Sequence, residues 1–288
     1  MTSTKNLNNR IAFQGQLGAN SHVACKLYFP EMEYIPCNNF EDAFNAVKYN
    51  DAKYAMIPIE NSVMGRVADI HNLLPESGLF IIGEYFHRVV HHLMAIKDSS
   101  LKDIKTVMSQ LPALSQCKKF IKKNNFNEIS AADTAGSAKE VFSLGDKSIG
   151  AIASSLASEI YNLKIIASNI EDADHNTTRF IVMANEPEAP ELKEKKVITS
   201  IIFKIRNVPA ALYKGLGGFA TNGVNITKLE SYIIDGNFTA AQFYADFEGH
   251  QELRHVKLAL EELSFYSKEL KILGCYKSDP YRSENNKL

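Results

Sequence analysis

A short polar run at the start of a predicted buried strand carries the side chains best suited to chemistry in this chain. Residues 176–180 read Asn-Thr-Thr-Arg-Phe, and the apolar strand is predicted over residues 179–183. Hydroxyls, an amide and a guanidinium at a strand end can hold the carboxylate of a small molecule and donate a hydrogen bond to a leaving oxygen. The run is equally compatible with a turn in which Asn176 and Thr177 bond their own backbone. Other segments must decide between a ligand site and a local turn.

Alternating apolar runs and helices place this polar run in an α/β region. Strands are predicted over residues 10–14, 33–37 and 54–59, with helices between them. The alternation repeats beyond residue 106, including one helix predicted over residues 112–122. We expect two α/β lobes with largely parallel sheets, with the strand around residue 180 returning to the first lobe. Ligands of such sheets bind in a cleft at the carboxyl ends of the strands.

The chain after residue 184 is predicted to form a separate domain. A Pro-rich, charged stretch predicts a linker, and the elements that follow it have the βαββαβ order of a ferredoxin-like domain. The predicted organisation is a two-lobed domain over 10–184, a linker over 185–196, a ferredoxin-like domain over 197–277 and a polar tail over 278–288.

Bulk composition excludes several classes of function. The 288 residues carry a formal net charge of −1 with a pI near 6.7, so neither a nucleic acid nor an anionic membrane is an expected partner. The polar first ten residues and the absence of a long apolar run predict a cytoplasmic protein. Four separated cysteines predict reduced thiols rather than a zinc site. His87, His91 and His92 fall in an extended segment, so we expect structural roles and no metal.

Five segments share a further pattern, in order along the chain. Residues 15–21 read G-Q-L-G-A-N-S, residues 58–62 read P-I-E-N-S, residues 109–117 read S-Q-L-P-A-L-S-Q-C, residues 133–138 read D-T-A-G-S-A, and residues 178–180 read T-R-F. They resemble the G-P-x-G-T-F-S, P-I-E-N-S, S-H-P-Q-A-L-x-Q-C, S-T-A-x-A-A and T-R-F motifs of the prephenate dehydratases. Enzymes of that family convert prephenate to phenylpyruvate in phenylalanine biosynthesis. The resemblance implies a two-lobed, periplasmic-binding-protein-like catalytic domain followed by an ACT regulatory domain.

The resemblance also implies roles for individual residues. Thr178 would donate a proton or a hydrogen bond to the departing hydroxyl, and no cofactor is required. Without the resemblance, Ser21 and Thr134 would be interpreted as helix caps. The alternation of side chains along a strand leaves open whether Arg179 faces the substrate. The implied substrate-binding residues are Ser21, Asn61, Ser62, Thr134, Ala135, Arg179 and Phe180.

In the predicted ferredoxin-like domain, residues 207–212 read N-V-P-A-A-L and residues 229–231 read L-E-S. They resemble the N-x-P-G-A-L turn and the start of the L-E-S-R-P segment in the ACT domains of the same family. The resemblance implies a homodimer or homotetramer that binds L-phenylalanine and is inhibited by it, although a domain that only dimerises is the alternative. The ten polar residues ahead of the first strand predict a chain without a preceding chorismate mutase domain. The implied effector residues are Asn207, Pro209, Ala210, Ala211, Leu212, Leu229, Glu230 and Ser231.

Two other functions fit the same sequence. Arogenate, the amino analogue of prephenate, would fit a similar pocket, so an arogenate dehydratase is one alternative. The other is a non-catalytic, two-lobed protein that senses an amino acid, with the region around Thr178 merely holding a carboxylate. Turnover of prephenate separates the enzymes from the sensor.

Overall fold

The computed structural model of the protein describes residues 9–234 and 237–285. The predicted polar start of the chain and the end of the predicted tail lie partly outside these ranges. In chain order up to residue 184 the strands are β1 (Arg10–Gln14), β2 (Glu33–Cys37), β3 (Tyr54–Asn61), β4 (Gly65–Arg66), β5 (Phe80–Arg88), β6 (His92–Ala95), β7 (Thr106–Ser109), β8 (Asn127–Ser130), β9 (Ile149–Ala153), β10 (Lys164–Ala167) and β11 (Thr177–Ala184). The helices of this part are α1 (Asn20–Tyr28), α2 (Phe40–Lys48), α3 (Ala68–Leu73), α4 (Leu111–Gln116), α5 (Lys118–Lys123), α6 (Thr134–Leu144) and α7 (Ser155–Ile160).

Two sheets form the frame of the first 184 residues. The first has the order β2-β1-β3-β11-β5, with β4 paired to β3, so β11 returns to the first lobe as predicted. The second has the order β10-β6-β9-β7-β8. In the first sheet β1 runs parallel to β2 and β3, whereas in the second β6 is antiparallel to both of its neighbours. The expectation of largely parallel sheets is therefore wrong for that half of the second sheet.

The helix predicted over residues 112–122 is two helices, α4 and α5. They meet at Cys117, whose backbone leaves the helical region and whose side chain packs into the apolar core of the second lobe. Asp172 explains the break, because its N–H donates to the last carbonyl of α4 and its carboxylate accepts from Lys119 N at 3.1 Å. A cap supplied by a residue 53 positions further along the chain leaves no local signal in the sequence.

The described residues after 196 form the predicted ferredoxin-like arrangement. Its elements are β12 (Val197–Ile205), α8 (Ala211–Thr221), β13 (Ile226–Ile234), β14 (Asn237–Glu248), α9 (Arg254–Tyr266), β15 (Ser267–Lys277) and α10 (Tyr281–Asn285). The four-stranded sheet has the order β13-β14-β12-β15 and is antiparallel throughout. A β-carbon on Gly218 would lie 2.7 Å from the β-carbon of Glu262, so the glycines of α8 allow α9 to approach closely.

The described chain divides into two compact units, whose bounds differ from the predicted domains at residues 68–84 and 181–184. The first contains the chain up to Val67 and Tyr85–Phe180, and the second contains Ala68–Glu84 and the chain from Ile181 onward. Within the second unit, the backbone of Gly274 packs so tightly on Ile81 that a β-carbon at residue 274 would lie 1.9 Å from the Ile81 carbonyl oxygen. The segment that contains α3 therefore packs with the ferredoxin-like sheet.

Two buried carboxylates organise the second unit. The guanidinium of Arg282 contacts Glu84 through Nε at 2.6 Å and Nη2 at 2.9 Å, and Glu84 also accepts from Asp279 N. Asp246, close to the same guanidinium, accepts from Ser200 and Tyr244. Because buried carboxylates need a cation and donors, the segment around α10 is part of the fold. The predicted polar tail is thus structured through residue 285.

The remaining sequence-based expectations concern the linker, the thiols and the membrane. Residues 185–196, all described, form turns and irregular backbone. The four cysteines are buried free thiols. Among the described helices, none has both the length and the apolar character needed to cross a bilayer.

Candidate active site

A cavity of about 340 Å³ lies in the first unit, and it is lined by strands of the first sheet and by loops and helices of both lobes. The wall combines apolar side chains such as Phe40 and Phe180 with many neutral hydrogen-bonding groups. Among the described residues, no lysine or arginine lines the cavity, and Asp133 is the carboxylate on its wall. The polar lining includes Asn20, Ser21, Asn61, His91, Gln110, Gln116, Thr134 and Thr178.

Asn61, at the end of β3, has an amide orientation that its own loop determines. Its Oδ1 accepts hydrogen bonds from the backbone N–H groups of Val63 and Met64, both at 2.9 Å. Since Oδ1 must face these donors, the amide nitrogen faces the opposite way. That nitrogen donates to Asn176 Oδ1 at 2.8 Å and to Thr178 Oγ1 at 2.9 Å.

Thr178 is held so that its own proton is available to a ligand. Its Oγ1 accepts the Asn61 hydrogen bond, and its hydroxyl proton meets no acceptor among the described residues. Thr178 is partly exposed on the cavity wall, as the second residue of β11. A hydroxyl that accepts on one side and borders a cavity on the other can donate into the cavity.

The hydrogen-bonded chain continues away from Thr178 into the second lobe. The Asn176 amide nitrogen donates to Gln116 Oε1 at 2.9 Å, and the same oxygen lies 2.8 Å from Nε2 of His91. Asn176 and His91 are almost fully buried, whereas Gln116 is partly exposed on the cavity wall. These hydrogen bonds link β3 and β11 of the first sheet to α4 and to the loop before β6.

Two helices begin at the cavity. Asn20 and Ser21 are the first residues of α1, and Thr134 is the first residue of α6. The N-cap of α6 is Asp133, whose carboxylate accepts from Gly136 N at 2.6 Å. Neither Ser21 nor Thr134 is therefore the N-cap residue, and the unpaired N–H groups of both helix ends favour an anionic ligand.

The glycine turn before α1 is fixed by its contacts with the second lobe. Gly18 has a φ of +93°, and a β-carbon there would lie 2.8 Å from the Ala157 α-carbon. Ser154 donates to the Gly18 carbonyl at 2.6 Å, and Gly18 N donates to Nδ1 of His22 at 2.9 Å. Burial, with a smaller contribution from Lys26, lowers the pKa of His22 to about 4, so this imidazole is neutral and acts as an acceptor at pH 7.

Alternation along β11 separates the predicted site residues. Thr178 and Phe180 line the cavity, whereas Arg179, 1% exposed, pairs through Nη1 with Glu60 Oε1 at 2.9 Å. Because neighbouring side chains of a strand face opposite ways, Arg179 cannot share the face of Thr178. The structure places Arg179 off the cavity wall.

Two other predicted substrate-binding residues have structural contacts instead. Ser62 donates to the His175 carbonyl at 2.7 Å and accepts from Thr177 N at 2.9 Å, which ties the loop after β3 to the start of β11. Ala135 is fully buried in the apolar core beneath α6. Of the predicted residues, the cavity therefore brings together Ser21, Asn61, Thr134, Thr178 and Phe180.

Sequence reasoning missed several residues of the site. Gln116 lies in one of the five motif segments and Asn176 in the polar run, so the sequence indicated that these segments belong to the site. It did not indicate that the two side chains contact each other. His91 carried no such signal, because it is one of two adjacent histidines in an extended segment. No metal site emerges, since the described residues contain no group of three or more side chains placed to bind a metal ion.

Together, the two-lobed α/β fold and a cavity rich in neutral donors define a protein suited to binding a small carboxylate-bearing molecule. The chain belongs to the prephenate dehydratase family, which it matches over residues 11–188. This confirms the resemblance based on the five motifs, and the observed sheets confirm the predicted two-lobed α/β and ferredoxin-like fold class.

Individual relatives cover nearly all of the chain. It is 44% identical over 272 residues, 94% of this chain and 97% of the relative, to a bifunctional N-acyl-homoserine lactone acylase/prephenate dehydratase of Komagataeibacter europaeus. It is 38% identical to arogenate dehydratase/prephenate dehydratase 1 of Arabidopsis thaliana, over 95% of this chain and 73% of that protein. The prephenate dehydratase of Arthrobacter aurescens, solved in complex with L-Phe, is 27% identical with a TM-score of 0.85, over 93% of this chain and 90% of that one.

Proposed function

We propose that this protein is a prephenate dehydratase that converts prephenate to phenylpyruvate, carbon dioxide and water. The observation that carries the proposal is the hydrogen bond from the Asn61 amide to Thr178 Oγ1, which leaves the threonine proton to the cavity. Family membership supports the reaction class. The non-catalytic sensor is the less favoured hypothesis, because holding a carboxylate does not require a threonine hydroxyl that accepts from an amide and keeps its proton for the cavity.

The reaction needs a donor at the oxygen that leaves the ring. The bond to the ring carboxylate breaks with loss of carbon dioxide, its electron pair enters the ring, and the C–O bond breaks as the hydroxide takes up a proton. Thr178 donates to that oxygen, the Asn61 N–H stabilises the negative charge that grows on Oγ1, and Oγ1 regains a proton from water before the next turnover. Aromatisation supplies the driving force, so orientation and hydrogen bonding are the main tasks of the protein.

The carboxylates of the substrate are proposed to lie against the beginnings of α1 and α6. Ser21 and Thr134 line the cavity there, and the free N–H groups of both helix ends supply partial positive charge. This arrangement stabilises an anion with oriented neutral donors and leaves Arg179 to its pair with Glu60.

Replacing the Thr178 hydroxyl tests the proposal directly. Thr178→Val keeps the shape and removes the donor, so we expect kcat for prephenate to fall by about 10²- to 10⁴-fold. Thr178→Ser keeps the hydroxyl and should retain much more activity. Thr106→Val, the same change on a strand away from the cavity, is the control. Equal turnover by the valine and serine variants at residue 178 would remove Thr178 from the mechanism.

The preference between prephenate and arogenate can be measured with the same turnover assay. The Arabidopsis relative is named for both arogenate and prephenate. The amino group of arogenate calls for an acidic partner, but the carboxylate on the described cavity wall, Asp133, already accepts from Gly136 N. Prephenate is therefore the proposed substrate. Parallel assays of wild-type protein with both acids at equal concentration measure the kcat/KM ratio.

The ferredoxin-like domain is proposed to be an ACT domain that binds L-phenylalanine in a homodimer or homotetramer. The predicted effector turn precedes α8, where Ala210 takes a left-handed conformation with a φ of 58°, the geometry for which the family motif has glycine. The similar Arthrobacter aurescens enzyme was solved with L-Phe. An effector inhibits only by binding the less active state more tightly.

We expect L-phenylalanine to lower the turnover of the full-length protein, and D-phenylalanine at the same concentration to have a much smaller effect. Asn207→Ala, in the predicted effector turn, should raise the concentration of L-phenylalanine needed for half-inhibition by about tenfold, as expected for the loss of one or two hydrogen bonds. Turnover that is unchanged by saturating L-phenylalanine would contradict the regulatory assignment.

A second candidate activity is hydrolysis of N-acyl-homoserine lactones. The specific observation in its favour is the 44% identity, across nearly the whole of both chains, to a relative named for this activity as well as for prephenate dehydratase. Purified wild-type protein is expected to release homoserine lactone and a fatty acid, measured by mass spectrometry. Product at the level of a protein-free control would restrict the chain to the dehydratase reaction.

A further inference from the structure

His91 lies at the far end of the hydrogen-bonded chain that starts at Asn61. It is 2% exposed, immediately before β6, and its backbone is held on both sides by the segment that precedes β11. His91 N donates to Glu171 Oε2 at 3.0 Å, and His91 O accepts from Ile170 N at 3.0 Å. The ring is thus fixed in place beside Gln116.

The direction of every hydrogen bond in the chain follows from its first member. Val63 and Met64 orient Asn61, so the Asn61 nitrogen faces Asn176 Oδ1. The Asn176 nitrogen must then face Gln116, whose contact atom is therefore its oxygen. Because Gln116 Oε1 is an acceptor, His91 must contact it with a protonated Nε2.

These hydrogen-bond directions determine where the amide nitrogen of Gln116 points. With Oε1 held by two donors, the amide nitrogen of Gln116 points away from them, and within residues 9–234 and 237–285 it meets no acceptor. Gln116 lines the cavity, so this nitrogen is available to a ligand. Without His91, Asn176 alone would hold Gln116 Oε1, and the preference for this amide orientation over the rotated one would be weaker by one hydrogen bond.

We propose that His91 is a positioning residue whose Nε2–H group fixes the Gln116 amide so that its nitrogen, not its oxygen, faces the substrate. The inference rests on the proposed function for its kinetic consequence and on geometry alone for the tautomer. Burial, opposed by the Gln116 hydrogen bond and the charge of Glu171, lowers the pKa of His91. The ring is therefore neutral at pH 7, and Nδ1, buried with no partner among the described residues, is the unprotonated nitrogen.

Two amide variants of different reach test the proposal. Glutamine places an amide nitrogen close to the Nε2 position, whereas asparagine reaches only the Nδ1 position. His91→Asn and His91→Leu are expected to lower kcat/KM by about 10- to 100-fold, as expected for the loss of one hydrogen bond that orients a buried group. His91→Gln is expected to restore most of that loss. Thermal unfolding of each variant shows whether it is folded.

A matched control uses another histidine of the same unit. His87, on β5, is also kept neutral because burial lowers its pKa to about 4, but it is not on the cavity wall. His87→Leu should change kcat/KM far less than His91→Leu does. Equal activity of the His91→Gln and His91→Asn variants would overturn the proposal, even if the leucine variant does not fold.

A spectroscopic measurement separates this inference from the proposed function. The ¹⁵N chemical shifts of the His91 ring in wild-type protein should show a protonated Nε2 and an unprotonated Nδ1 at pH 7. The opposite tautomer would refute the positioning role whether or not the protein turns over prephenate. If wild-type protein converts neither prephenate nor arogenate, the dehydratase assignment fails, and the tautomer still tests the geometry.

Discussion

The candidate site depends on two backbone N–H groups in the loop after β3. By donating to Asn61 Oδ1, Val63 and Met64 fix which end of the amide faces the cavity. That orientation decides the direction of each later hydrogen bond through Asn176 and Gln116, and it leaves the Thr178 proton to the ligand. A buried amide in the opposite orientation would place donor against donor and acceptor against acceptor, at a cost of about 1–3 kcal/mol for each mismatched group. The fold itself therefore maintains these hydrogen-bond directions.

The part of the cavity wall that the structure describes offers an anion oriented N–H groups rather than a lysine or arginine side chain. The beginnings of α1 and α6 provide oriented N–H groups, and the guanidinium of Arg179 is used in a structural pair with Glu60. Neutral donors on several sides of a small cavity can stabilise negative charge at different positions as it moves during a reaction. They do so without a fixed ion pair between protein and substrate. This fits an elimination in which negative charge leaves the carboxylate and grows on the departing oxygen.

Much of this could be predicted from the sequence, because the signals were local. Apolar alternation predicted the strands β1 to β3 and the ferredoxin-like order, and the motif segments predicted that Asn61, Thr134 and Thr178 share a site. The failures have non-local causes. Asp172 divides the helix predicted over 112–122, and packing on Gly274 draws the segment from Ala68 to Glu84 into the second unit. His91 acquires a role only when the fold brings it to Gln116.

The most direct test of the account replaces the Asn61 amide with a carboxylate. Asn61→Asp keeps the shape and both backbone hydrogen bonds but removes the donor to Asn176 and to Thr178, and the Thr178 proton would then turn to the new carboxylate. Steady-state kinetics with prephenate should show kcat reduced by about 10²-fold or more in a variant that remains folded, while Asn38→Asp on the exposed surface has little effect. Wild-type turnover by the Asn61→Asp variant would contradict the claim that this amide determines the chemistry of the site.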